Sequence, residues 1–204
     1  MKINHNTDEL VSDMADGIKF LEPLESGVTI FGSARTKHDD PYYLATVELA
    51  GKIAEGGLPV YTGGGDGIMG AANKGAFEAG GKSYGLNIVL PHEQALNPYT
   101  TANHTFDYFY SRKFCLVHAA KAVVCMPGGF GTLDELSDVL DLIKTDKLPK
   151  IPVILFDRKF WTPFHEMVKD AFEAYHMIDE HDEDIYNIVD TVEEALEIIF
   201  KKGA

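Results

Sequence analysis

The strongest constraint in this 204-residue sequence is an alternation along nearly its whole length. Short, almost continuous runs rich in Val and Ile recur between longer stretches with helical apolar spacing. The runs fall at 28–31, 59–62, 84–90, 122–126, 153–156 and 185–189, with a weaker one at 105–109. The helical stretches fall at 42–55, 68–79, 112–120, 132–145, 164–175 and 191–202. The last opens with Thr191 and Glu194, the spacing of a capping box. Strands apolar at every position must be covered on both faces, and helices between strands provide the crossovers of a parallel sheet. The expectation is an α/β chain: a single doubly wound Rossmann-like domain over 1–204, with a mostly parallel sheet and helices on both faces. A helical lead-in over 1–26 precedes the first strand, its helix at 10–20 placing Leu10, Met14 and Ile18 on one face.

Charge narrows the partners. Lys and Arg number 18 against 32 Asp and Glu, a net charge of −14. That opposes a nucleic-acid groove or an anionic membrane surface as the main partner, while leaving room for a local basic pocket. No apolar run approaches the roughly 18 residues of a membrane span, and the first ten residues lack a basic-then-apolar signal pattern. Cys115 and Cys125 sit in apolar surroundings without zinc-like spacing. These features predict a cytoplasmic protein.

In doubly wound folds ligands bind where the carboxyl ends of the strands lead into helices. Two such loops are rich in glycine. Gly63-Gly64-Gly65-Asp66-Gly67-Ile68-Met69-Gly70 contains G-x-G-x-x-G between a strand and a helix. It follows the second strand, however, and the next strand supplies Asn87 where an acidic ribose ligand would stand. The loop therefore reads either as a phosphate or ribose contact through its N–H groups or as a turn for close helix packing. An NAD site is disfavoured. The second loop, Pro127-Gly128-Gly129-Phe130-Gly131-Thr132-Leu133-Asp134-Glu135, follows a buried strand. Its glycines remove Cβ atoms from an oxyanion's path, and Thr132 is expected to open a helix with unsatisfied N–H groups. Asp134 and Glu135 then fall in the first turn, where the dipole favours the ionised carboxylate. Acids are common in first turns, but that alone leaves the glycine density unexplained.

Ser111-Arg112-Lys113 is expected to begin a helix near the same edge. Two cations there oppose the dipole, so an anion must compensate, and the pair is a candidate phosphate clamp or an ordinary salt-bridged surface. A loose Walker match at 76–83 has its helix before the glycines and its strand after them, so Lys82 is read as a surface residue. His176, Glu180 and His181 match no zinc spacing and are read as a solvated loop. Phe160, Trp161, Phe164 and Phe172 are read as core-facing helix residues.

On these residues the chain resembles the Lonely Guy (LOG) family of nucleotide phosphoribohydrolases, long labelled possible lysine decarboxylases. The similarity runs from Ile30-Phe31-Gly32-Ser33-Ala34-Arg35 through 63–70 to the final third, with Pro127–Thr132, Glu135 and Arg112-Lys113 as its most specific parts. Leu90-Pro91-His92-Glu93-Gln94 looks like the type II branch, whereas Met69-Gly70 is as in the shorter enzymes. The resemblance implies hydrolysis of the N-glycosidic bond of AMP, or of an N6-modified adenosine 5′-monophosphate, to free base and ribose 5-phosphate. It assigns catalysis to Arg112 and Glu135. Substrate binding goes to Ser33, Gly63, Gly64, Gly65, Glu93, Lys113, Gly128, Gly129, Phe130, Gly131, Thr132 and Asp134. No metal or cofactor is implied, and the expected assembly is a homodimer or a higher homo-oligomer. A non-catalytic nucleotide or cofactor carrier on the same fold is the alternative. Lysine decarboxylation is disfavoured, because no lysine stands where a pyridoxal phosphate Schiff base would need it.

Overall fold

The computed structural model describes residues 6–90, 96–179 and 182–201. Seven strands form one sheet: β1 (Gly27–Phe31), β2 (Val60–Thr62), β3 (Ser83–Ile88), β4 (Ala102–Phe106), β5 (Ala120–Cys125), β6 (Val153–Phe156) and β7 (Tyr186–Val189). Their order is β4-β3-β2-β1-β5-β6-β7, and every pairing is parallel. The helices are α1 (Thr7–Leu21), α2 (Pro41–Glu55), α3 (Ile68–Glu78), α4 (Phe109–His118), α5 (Phe130–Lys144), α6 (Arg158–Met167) and α7 (Val192–Ile199). The α/β sheet with helices on both faces is the expected one. β1, β2, β3 and β6 are buried at every position. Neighbouring residues of a strand feed opposite cores: Phe31 and Val123 join Leu86, Leu116 and Trp161, while Ile30 and Val124 join Leu49, Ile53 and Ile68. No helix among the described residues is long and apolar enough to cross a membrane.

Local chemistry explains most boundaries. Asp40 accepts from Tyr42 N ahead of Pro41, and Thr191 with Glu194 forms the expected capping box. Four expectations are displaced. β4 lies at Ala102–Phe106 rather than 105–109, because it is a half-exposed edge strand with a weak apolar signal. Phe109 instead starts α4, three residues before Arg112. The helix expected at 164–175 begins at Arg158, where Asp157 caps it; Pro163 lies inside, and a π-helical segment, Val168–Glu173, follows. Trp161 is buried, but Phe160 and Phe172 are exposed rather than core-facing.

The fourth displacement is in α1. Ile18 is exposed, and Gly17 is the position that presses on the body of the protein. A Cβ at Gly17 would stand 2.3 Å from the Phe106 ring. The inward face includes polar and side-chain-free positions, which apolar periodicity does not register.

Helices α2 and α3 approach even more closely. A Cβ at Gly75 would lie 2.1 Å from the Val47 carbonyl oxygen, a backbone atom that cannot rotate away. At Gly51, on the facing helix, the nearest atom would be 3.5 Å away, an ordinary contact. Gly75→Ala should therefore destabilise the protein by about 1–3 kcal/mol through overpacking. Gly51→Ala should be neutral or stabilise by up to about 1 kcal/mol, since Gly weakens a helix interior. Urea denaturation of the two variants checks the contrast, and equal effects would contradict the packing argument.

Candidate active site

Chain connections leave β1 toward β2 on one side and resume at β5 on the other, so the β1/β5 boundary is the switch point of the sheet. The loops there are stitched together by backbone hydrogen bonds. Ser33 N donates to Pro127 O at 3.1 Å, and Ile68 N donates to Ser33 O at 3.0 Å. Both glycine loops are thus clamped to the loop after β1. Gly67 has φ of +63°, and a Cβ there would fall 2.3 Å from Ser33 O, so only glycine fits this crossing.

A cleft of about 500 Å³ opens at the switch point. Ser33, Gly129–Thr132, Arg112 and Glu135 line it. The glycines divide into two groups. A Cβ at Gly128 would strike the Thr132 side chain at 2.1 Å, so that glycine serves the turn. Gly129 and Gly131 have no atom within 4 Å of a built Cβ, so their bareness leaves space in the cleft itself. The first intrahelical bond of α5 is Leu133 N to Gly129 O, which leaves the earlier N–H groups at the positive end of a 15-residue helix.

The loop over 63–65 is occupied with protein contacts. Gly64 N donates to Thr62 Oγ1, Asn97 N donates to Gly64 O, and Asn97 Nδ2 donates to Gly65 O. Buried Asn73 joins Thr62, Ser83 and Asn97 behind it. Gly63 alone of the three meets the site residues, its built Cβ lying 3.2 Å from Arg112 Nη1. The packing reading of this loop accounts for Gly64 and Gly65.

Arg112 and Glu135 meet across the cleft wall, with Nη2 donating to Oε1 at 3.3 Å. Their side chains are only 13% and 14% exposed. Arg112 also lies 5.1 Å from the Phe109 ring centroid, and its buried Nε has no hydrogen-bond partner among the described residues. Glu135 differs from the expectation. Because α5 starts at Phe130, Glu135 sits in the second turn and the first turn holds no acid. Burial pushes its carboxyl up to about 7, Arg112 pulls it down and Asp134 raises it. The native protein thus holds a proton that an unfolded chain would release, and this site costs stability as pH rises from about 4.5 through about 7. Burial likewise lowers Arg112, opposed by Glu135, yet a guanidinium stays charged.

Lys113 and Asp134 lie outside that cleft lining. Lys113 Nζ donates to both Asp134 oxygens, at 3.1 and 3.2 Å, and approaches Asp138 at 3.8 Å. The anions expected to offset the two cations are thus carboxylates of α5. Phe130 is 93% exposed at the first position of α5, Thr132 is buried, and Ser33 Oγ accepts from Arg35 N. Glu93 lies outside the described residues. Arg35, Met69 and Phe109 line the cleft without having been singled out as site residues. Arg35 stands in a motif that the sequence does display, whereas Phe109 was hidden at the end of a misplaced strand. Lys82 pairs with Glu25 at 2.8 Å on the surface, as expected.

Comparison with known proteins identifies the family and the fold. A family model described as "Possible lysine decarboxylase" matches residues 69–199. The "Cytokinin riboside 5'-monophosphate phosphoribohydrolase LOG" of Oryza sativa subsp. japonica is 28% identical over 174 residues, covering 83% of this chain and 69% of that protein. The rice "Probable cytokinin riboside 5'-monophosphate phosphoribohydrolase LOGL5" is 30% identical over 116 residues, 55% of this chain; the match spans about half of that relative, 47%. Among solved structures, the molybdenum cofactor binding protein from Rippkaea orientalis shares the fold, with a TM-score of 0.64 at 22% identity over 86% of this chain and 95% of the other. With the matched segment holding both Arg112 and Glu135, the chain belongs to the LOG family, the family described as possible lysine decarboxylases.

Proposed function

We propose that the protein hydrolyses the N-glycosidic bond of AMP, or of an N6-modified adenosine 5′-monophosphate, giving the free base and ribose 5-phosphate. The observation that carries this reading is the buried Arg112–Glu135 pair beside an open, glycine-lined helix start. The N–H groups at the start of α5 suit the phosphate dianion, with Arg112 Nε as a further donor. Cleavage builds positive charge on the sugar, and the Glu135 carboxylate balances it while taking a proton from the attacking water. Hydroxide is added at the anomeric carbon, the base departs with the bonding electron pair, and a proton restores its ring nitrogen. A carboxyl titrating near 7 suits such a base, because it is available as carboxylate yet still basic. The names of the LOG relatives support the substrate class.

Incubation with AMP and chromatography for adenine is the direct test; binding of AMP without any release would favour a carrier. The 5′-phosphate should be required, since each lost charge-assisted bond costs about 1.5–3 kcal/mol. Adenosine should therefore fall behind AMP by several orders of magnitude in kcat/KM, and comparable turnover would contradict the phosphate site.

Glu135→Gln keeps the shape but loses the charge and the basicity. It should lower kcat by about 10²–10⁴-fold while AMP affinity holds or improves, because a carboxylate near phosphate repels it. Arg112→Ala should weaken both binding and turnover. Loss of carboxylate as pH falls predicts an acid limb in the wild-type kcat/KM profile with a midpoint near 7, absent in the residual activity of Glu135→Gln. Full activity of Glu135→Gln with loss in Asp134→Asn would reassign the base.

A homodimer, or a larger assembly built from it, goes with this reading. Phe109 on α4 and Phe130 on α5 are exposed and line the cleft, with Tyr110 and Phe114 also exposed on α4, and a second copy covering Phe109 and Phe130 would shield the site. Light scattering should give a mass at least twice 22.5 kDa. A purely monomeric species would rule this out.

A further inference from the structure

We propose that Asp13, on the amino-terminal helix α1, is a positioning residue for Arg112: its carboxylate holds the turn that starts α4 and so fixes where the guanidinium meets Glu135. The inference rests on the reading of Arg112 and Glu135 as the working pair. Asp13 Oδ1 accepts from Asp107 N at 3.0 Å, and Oδ2 accepts from Tyr108 N at 3.3 Å. Tyr108 is the cap residue of α4, and its side chain makes no capping bond to that helix. Asp13 reaches across 95 residues of sequence to accept from the N–H of the cap residue itself, the group that the N3 carboxylate takes in a capping box.

The location matters because Arg112 and Lys113 lie just beyond, where two cations oppose the positive end of the helix. Arg112 N makes the first turn's bond to Tyr108 O at 3.2 Å, so a shift at Tyr108 passes directly to Arg112. The carboxylate of Asp13 fixes that backbone. Its aim is secured from α1 itself: Gly17, one turn on, lies flush against Phe106 and Cys115, with built-Cβ distances of 2.3 and 2.9 Å. Phe20 stacks on His104 of β4 at 5.4 Å. The helix leading into the domain is thereby keyed against both β4 and α4.

The test reads the Arg112–Glu135 contact without any nucleotide. Glu135 is faced by Arg112 and Lys113 from α4, by Asp134 on its own helix, by the neutral buried Cys125 thiol of β5 and by Arg35 across the cleft. Of these, Arg112 gives the largest downward pull. Carbon-13 carboxyl NMR, with the resonance assigned through Glu135→Gln, gives the titration midpoint. If Asp13→Ala loosens Arg112, that midpoint should rise by about half a unit or more. Loss of a negative charge acting only through space would move it down, so the sign separates repositioning from charge removal.

Asp13→Asn keeps one of the two acceptors and removes the charge, and should raise the midpoint less than Asp13→Ala does. Asp13→Ser, too short to span both N–H groups, should behave like Asp13→Ala and serves if the alanine variant does not fold. Glu9→Gln, at the exposed contact with the Tyr108 hydroxyl, should change nothing. An unmoved midpoint in folded Asp13→Ala or Asp13→Ser, with only a lower Tm, would reduce Asp13 to a structural cap and overturn the proposal. The same holds if Asp13→Asn rises as far as the alanine variant. If the midpoint moves as expected while wild-type protein leaves AMP intact, positioning stands and the hydrolase reading falls.

Discussion

Everything in the site descends from the reversal of winding between β1 and β5. Strands added to either side of this pair carry their crossovers in opposite directions. The two loops at the boundary therefore diverge and leave a crevice that no helix fills. Pairing of β1 with β5 also fixes the relative height of those loops, since Met126 N donates to Phe31 O at the end of the ladder. Ser33 then bonds both neighbouring loops through its backbone, so three segments distant in sequence behave as one rigid rim. Rigidity of this kind is what lets backbone N–H groups serve as a preorganised anion site rather than as a mobile turn.

On that rim the dominant interaction is a buried pair whose members do not satisfy one another. A contact of 3.3 Å is longer than a good charge-assisted bond, and Arg112 Nε has no partner among the described residues. Glu135 meanwhile is driven toward its neutral form by burial more strongly than Arg112 holds it ionised. For stability alone such a pair is a poor choice, as apolar replacements for buried ion pairs often show. Its spare donor and its readiness to exchange a proton near neutral pH are assets for a reaction that moves both charge and protons. The outer pair, Lys113 with Asp134, keeps that cation occupied and leaves Arg112 and Arg35 as the cations lining the cleft.

The sheet and its winding were legible because the strands other than β4 carry mostly apolar cores set between helical repeats. β4 was displaced because an edge strand alternates buried and exposed positions and so gives a weaker pattern. Arg112, Glu135 and the loop over 127–132 were legible because glycine density and charge stand out from an acidic background. Two matters were not. The electrostatic state of Glu135 depends on where α5 begins, and moving the start from Thr132 to Phe130 takes the acid out of the first turn and into a buried place. The contribution of α1 depends on Asp13 and Gly17, neither apolar, so the periodicity that found half-buried Leu10 and Met14 missed Gly17 and included the exposed Ile18. Glycine density was also ambiguous until built Cβ positions separated glycines that admit a neighbouring loop, such as Gly67, from those that open onto the cleft, such as Gly129.

The same fold occurs in a molybdenum cofactor binding protein, so architecture does not choose between holding a phosphorylated molecule and cleaving it. The choice lies in what a carboxylate is doing beside an anion site. For a binder, Glu135 is a liability: it repels the phosphate, competes for Arg112 and resists burial. Removing it would improve affinity in the ground state. The balance reverses only when the bound sugar acquires positive charge, because the carboxylate then attracts what it faced neutrally before. A group that weakens ground-state binding and strengthens binding of a cationic transition state is what catalysis selects and what carriage does not. The electrostatic cost of the Arg112–Glu135 arrangement is therefore a physical ground for the proposed hydrolysis beside the resemblance in sequence.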